Sequence, residues 1–326
     1  MQTSMRYHVN EPVFTTVLSD VGELRPKAKS LYITGVSIEE RSKHTERWEA
    51  TCPDVTFARL TNDDASRATF SVDSRQLALQ VRSASEISQF LSAQQHAAVY
   101  LDITGLPHHV WAPLLRAIRG RAEPAFCVYV EPGDYRFSAS PTESSIFDLS
   151  ESIRGIAPLP GFVSLASAGE AEALFIPLLG FEGARFAFML ETVQPERKRI
   201  CPVVGVPGFR PEYPFYTYLG NRLQLVETRA WQNVRFAPAN CPFSVYHLLT
   251  ELSGSAPGHR LRIAPIGTKP HALGAVLYFL DHPNATEILY DHPVRKAKRT
   301  LGTSRVCVYD LSLLPPIRPE RGAGGA

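Results

Sequence analysis

Short apolar runs alternate with longer amphipathic stretches along most of the chain. Ser30–Val36, Asp54–Leu60 and Ala97–Thr104 are short, rich in β-branched and aromatic residues, and bounded by turn residues, which predicts strands. The polar stretch after Val36 can open a helix, with Ser37 as N-cap and Glu39 and Glu40 in the first turn. Arg75–Gln94 carries apolar residues at helical spacing and reads as a helix. His108–Gly120 reads as another, stopped by Gly120. A further strand follows at Ala125–Pro132. Strands alternating with helices predict a parallel sheet covered on both faces.

The segment Glu131–Ser145 is polar, with Pro, Gly and Ser, and reads as a linker. The alternation then resumes. Glu172–Phe181, Ile200–Phe209, Arg260–Gly267 and Thr286–Pro293 read as strands, and helices are expected from Glu182, over Cys241–Leu252 and over Thr268–His282. Arg210–Gly220 is aromatic and broken by proline, and receives no assignment. The run Arg305–Leu314 is expected to close the second half. The predicted class is α/β, two Rossmann-like parallel-sheet halves in tandem, over residues 1–165 and 166–316, with a flexible polar tail at 317–326.

The two halves repeat an order of elements. In each, a strand meets a small-residue turn, then Pro-His (Pro107-His108; Pro270-His271), then an apolar helix. The next strand ends in an aromatic, acidic and proline cluster, Tyr129-Val-Glu131-Pro132 in one half and Tyr290-Asp291-His-Pro293 in the other.

Composition narrows the classes. Of 326 residues, 44% are hydrophobic and 20% charged, which excludes wholesale disorder, and a formal net charge of +2 argues against a dedicated nucleic-acid coat protein. Five dispersed cysteines without a CxxC pair argue against a disulfide framework or zinc knuckle. The N-terminus lacks an apolar signal core and no apolar run is long enough to span a bilayer, so a cytoplasmic protein without membrane contact is expected.

Candidate chemistry concentrates at the expected strand ends, where open α/β sheets bind ligands. Asp102, Thr104 and Gly105 precede one helix. Gly267, Thr268 and Lys269 precede its counterpart, where a hydroxyl and an ammonium join backbone N–H groups suited to phosphate. Gly35, Ser37 and Arg41 in the first half, and Gly180, Gly183 and Arg185 in the second, would lie beside them. His108, His109 and His271 are the candidate general acid–base groups. No metal-ligand spacing, Walker motif or GxGxxG is present, so no cofactor is expected. Arg295, Lys296, Lys298 and Arg299 form a basic run that could contact nucleic acid, and Tyr213, Phe215, Tyr216 and Tyr218 could stack bases.

The strand ending in Asp102-Ile-Thr-Gly105, the apolar helix after it and the following strand ending near a tyrosine resemble the CARF domain. Two such units in one chain resemble the SAVED arrangement. These are Rossmann-like sensors of cyclic oligonucleotides in prokaryotic antiviral defence. The resemblance implies a regulatory subunit that binds a nucleotide or cyclic oligonucleotide and signals to a separate effector protein or larger complex, with homo-oligomers possible, because no nuclease, protease or TIR-like segment is evident. Where CARF loops usually read Thr-Gly-Gly-Thr-Lys, the first half has Thr104-Gly-Leu-Pro-His108. The second keeps Gly267-Thr-Lys269 but has Pro265 in place of the acidic strand residue. Two other readings stay open: a phosphodiesterase or nucleoside-processing hydrolase using His108, His109 or His271, and a structural subunit of a larger defence assembly.

Overall fold

The computed structural model describes residues 13–35, 39–48, 51–142, 145–163 and 173–314. Ser37 and the C-terminal tail lie outside them.

The first half begins with β1 (Thr15–Leu18) and β2 (Ser30–Gly35). Every residue of β2 is buried, as expected of a parallel strand covered on both faces. Among the described residues no long helix follows it. The polar stretch forms a single 3₁₀ turn at Glu40–Ser42 and a four-residue helix α1 (Thr45–Trp48). Then come β3 (Thr56–Asp63), β4 (Arg67–Val72) and β5 (Arg75–Gln80), so the first part of the expected helix Arg75–Gln94 is a strand. Only Ala84–Ala93 is helical (α2), N-capped by Ser83. The half continues with β6 (Ala98–Asp102), α3 (His108–Arg119) and β7 (Ala125–Tyr135).

The expected linker is structured. β7 runs on to Tyr135, and β8 (Phe137–Thr142) pairs antiparallel with β9 (Ser145–Phe147). β10 (Ser150–Ile153) follows. The second half comprises β11 (Ala173–Leu178), α4 (Gly183–Val193), β12 (Val203–Gly205), α5 (Tyr213–Gly220), α6 (Arg222–Thr228), β13 (Arg235–Ala237), α7 (Pro242–Ser255), β14 (Arg260–Pro265), α8 (Lys269–Asp281), β15 (Thr286–Ile288) and β16 (Pro293–Arg295). The last strand is β17 (Thr300–Asp310).

The second sheet, ordered β13-β12-β11-β14-β15, is parallel throughout. One face packs on α7 and α8, through Val245, Leu249, Ala275 and Tyr278. The other packs on α4 and α6, through Phe186, Met189 and Leu225. The first sheet, ordered β1-β17-β7-β6-β2-β3-β4-β5, has the same parallel centre β7-β6-β2-β3, flanked by antiparallel strands. The repeat is thus real in strand order, since β3-β2-β6-β7 corresponds to β12-β11-β14-β15. The closing strand crosses over: β17 pairs with β7 and β1 of the first sheet, and β16 pairs with β10. Residues 300–310, expected in the second half, therefore belong to the first sheet.

The halves share one core. Trp111, Leu114 and Leu115 of α3 pack in the same cluster as Leu273, Val276 and Leu277 of α8. All of α8 except Asp281 is buried, as an all-round apolar helix must be. The equivalent helices α3 and α8 thereby bring the C-terminal ends of both sheets together. No helix among the described residues is long and apolar enough to cross a membrane.

Candidate functional site

Each sheet reverses strand order beside its first parallel strand, which places a crevice between β2 and β6 and another between β11 and β14. In both, glycines hold the two loops together. A Cβ on Gly105 would stand 1.6 Å from the Gly35 carbonyl oxygen, and one on Gly267 would stand 2.5 Å from that of Leu179. Gly180 meets the Ile266 carbonyl in the same way, and Gly183 packs on the Gly220 carbonyl. These glycines serve close backbone approach, the first requirement of such a turn.

Lys269 overturns its expected role. Its ammonium reaches across to the first half and donates to the carbonyls of Ile103, Thr104 (2.7 Å) and Leu106 (2.8 Å). Its three protons are engaged in tying the loops together, so phosphate would have to displace one of these carbonyls. Burial and the nearby Arg295 and Arg41 guanidiniums push its pKa down. The three acceptors oppose this, because only the charged form has a proton for each. Thr268 is likewise engaged: it caps α8, accepting from the His271 N–H, and donates to the Ala239 carbonyl at 2.8 Å.

Asp102 is fully buried and binds within the protein. It accepts from the Thr104 N–H at 2.8 Å and lies 3.0 Å from His44 Nε2. His44 Nδ1 reaches the Arg41 carbonyl at 3.0 Å, so both ring nitrogens face acceptors. Burial alone would lower the His44 pKa, but the Asp102 carboxylate raises it overall. Burial would likewise raise the Asp102 pKa, and His44 and the Thr104 bonds lower it instead. Thr104 Oγ1 accepts from the Val130 N–H.

The three expected acid–base histidines fare differently. His108 is buried against Tyr290, which it meets at 2.9 Å, and burial with the Arg295 and Lys269 charges drives its pKa well down. His271 is fully buried, its pKa pushed down to about 4 by burial, with Nε2 on the Pro238 carbonyl at 3.0 Å. Both are neutral structural groups near pH 7. His109 pairs with Asp63 at 3.1 Å. Nothing brings the three onto one reacting centre. Among the described residues, no group of three His, Cys, Asp or Glu could hold a metal ion.

What the fold does assemble is a cleft between the halves, of about 90 Å³, at the joint C-terminal edges of both sheets. Arg41 and Arg185, at corresponding positions after the first strand of each half, both line it. Each is pinned. Arg41 Nε donates to Glu39 (2.6 Å) and its Nη1 to the Val130 carbonyl, with the guanidinium over the Tyr129 ring. Arg185 binds Asp291 through two nitrogens at 2.6 Å and the Ile266 carbonyl through the third. Arg299 enters from the start of β17 and donates to Glu39 at 2.7 Å. Burial alone would raise the Glu39 pKa, but the Arg41 and Arg299 guanidiniums hold it well below the carboxylate range.

The basic run does not form one face. Lys296 pairs with Asp148, and Lys298 is exposed on an outer cleft. Arg299 and Arg295 turn inward. Arg295 is partly buried, and burial and the Arg299 charge lower its pKa. Its charge lies close enough to act on Arg41, Arg299 and Lys269. The cleft is therefore lined by Arg41, Arg185, Lys269 and Arg299, with the Arg295 charge near them, against Glu39, Glu182 and Asp291, an excess of positive charge in a poorly solvated space. Aromatic rings close its mouth: Tyr135, Phe181 and Tyr213 line it, packed edge to face at 5.2–5.7 Å between centroids.

Arg41 and Arg185, expected as ligand contacts, both line the cleft, and so does Tyr213, one of the aromatics expected to stack bases. Sequence reasoning missed Glu39 and Asp291 as partners of the two arginines. The repeated aromatic–acidic–proline cluster was the available signal for Asp291. Comparisons with protein-family models, with curated proteins and with solved structures find no match.

Proposed function

We propose that this protein is a regulatory, ligand-sensing chain whose cleft between the halves takes the phosphate of a nucleotide or cyclic oligonucleotide, in keeping with the CARF- and SAVED-like order of its elements. The observation that carries the reading is the excess of positive charge at the cleft. Arg41, Arg185, Lys269 and Arg299 line it with the Arg295 charge close by, and such an excess in a poorly solvated space is costly unless an anion offsets it. Arg299 in the cleft and Arg295 beside it supply the charge, and Tyr135, Phe181 and Tyr213 offer faces for a base. Lys269 keeps the two loops joined and is not a ligand residue here. The cleft of about 90 Å³ is smaller than the roughly 300–1,000 Å³ of small-molecule sites, so it fits a lone phosphate group, and a whole nucleotide requires the aromatic mouth to part. A defence role would then follow through a separate effector.

The test is titration calorimetry with inorganic phosphate, mononucleotides and cyclic oligonucleotides. Binding is expected to weaken by about tenfold or more in Arg295→Ala, the loss of one charge-assisted contact. The same variant is expected to unfold no more easily than wild type without ligand, because it relieves like-charge repulsion. Wild type that binds none of these anions would end the proposal.

A further inference from the structure

The second half carries an apolar surface that the other described residues leave uncovered. α5 is amphipathic in two directions. Tyr213 and Thr217 face the cleft, while Phe215, Tyr218 and Leu219 face outward. With Val226 of α6 and Trp231 they line a groove of about 430 Å³ whose wall is almost wholly apolar. Phe215 is 73% exposed, Val226 57% and Trp231 56%. Leu223 of α6 and Phe236 of the edge strand β13 are also exposed. Contiguous exposure of this kind marks an interaction surface, since monomeric proteins rarely leave such patches open.

The charges around it select the occupant. Over residues 222–236 the exposed charged side chains are Arg222, Arg229 and Arg235 against Glu227 alone. A second copy docked by two-fold symmetry would set these arginines against one another. An acidic partner would be attracted to this net positive rim. A groove between two short helices, lined by residues spaced i, i+3 and i+4 on α5, suits the apolar face of another helix.

We propose that the α5–α6 groove docks an amphipathic helix with acidic flanks, supplied by a partner protein. The inference does not depend on the cleft binding a nucleotide. It does bear on signalling, because α5 presents one side to the cleft and the other to the groove, so both occupants would act on one element.

The probe is a short synthetic helix with leucines at i, i+3, i+4 and i+7 and glutamates at both ends, compared with a twin ending in lysines. Trp231 emission is the readout, with Trp231→Phe as its control. The glutamate helix is expected to blue-shift the emission, with an affinity that falls as salt rises. Val226→Asp, on an exposed position that leaves the core intact, is expected to weaken binding about tenfold or more. Equal binding of both twins, or binding of neither, overturns the proposal. Sedimentation velocity and vesicle flotation complete the test. A wild-type dimer lost in Val226→Asp would give the groove to a second copy, and Val226-dependent adsorption to anionic vesicles would give it to a lipid surface. Either overturns the partner helix.

Discussion

Replacing Lys269 with methionine separates a structural lysine from a phosphate ligand. The stem is kept and the ammonium is lost. The carbonyls of Ile103, Thr104 and Leu106 then lose their shared donor inside the protein. Hydrogen bonds from a charged donor contribute about 1.5–3 kcal/mol each, so three of them come to roughly 5–9 kcal/mol. Against this, the buried ammonium no longer has to be stripped of water, which returns several kcal/mol. The balance resembles removal of one partner from a buried ionic network, a loss of about 3–5 kcal/mol. The assay is denaturant unfolding, read as a lower midpoint at unchanged slope. In parallel, phosphate affinity of the folded variant is expected to stay within about threefold of wild type, a change under ~1 kcal/mol. A variant within ~1 kcal/mol of wild-type stability that has lost anion binding would refute the reasoning and restore Lys269 as a phosphate contact.

Three further outcomes are expected. The His44–Asp102 pair makes stability depend on pH in two directions. The raised His44 pKa means its contribution is complete below the ordinary value of 6.5 and fades as pH rises through the higher folded value, while the lowered Asp102 pKa means its contribution is complete above 3.8 and fades as pH falls through the lower folded value. Unfolding curves of His44→Gln across pH should lose the alkaline decline that wild type shows. Gly105→Ala should destabilise by about 1–3 kcal/mol or more through its clash with Gly35, whereas Gly254→Ala, in α7 with nothing within 4 Å, should stabilise by up to ~1 kcal/mol. Thermal melts of the two variants should move in opposite directions. In a pH profile of any hydrolytic activity toward nucleotides, His271→Asn should leave the profile unchanged, since His271 is already neutral above about pH 4.

The site was partly legible before the fold was known. Arg41 and Arg185 follow corresponding strands, and correspondence in sequence became proximity in space because both strands end at the shared edge. Lys269 illustrates the limit. A Gly-Thr-Lys turn at a helix start is the same text whether the lysine meets a phosphate or three carbonyls, and the distinction lies in what the other half brings to it. The inward turn of Arg295 and Arg299, within a run that reads as a solvated face, depends on β16 pairing with β10 and β17 with β7.

Local physics determined the central strands. β2, β6, β11 and β14 are short apolar runs closed by turn residues, and their burial on both faces leaves few alternatives. The tandem repeat followed from the same text. Elements whose stability comes from a distant or concealed partner were decided only by tertiary structure. Arg75–Gln80 has helical spacing but is a strand, because Asp73 and Ser74 take positive φ (45° and 65°) and fold it back on β4, a turn that Asn-Gly or Asp-Gly would have announced and Asp-Ser conceals. Tyr213–Gly220 looks broken by Pro214, yet the proline stands in the first turn of α5, where its missing N–H costs nothing. β17 lies in the first sheet because the edge of β7 offered it a full ladder of backbone partners. Sequence periodicity encodes which face is apolar, and it carries no record of which remote edge that face will meet.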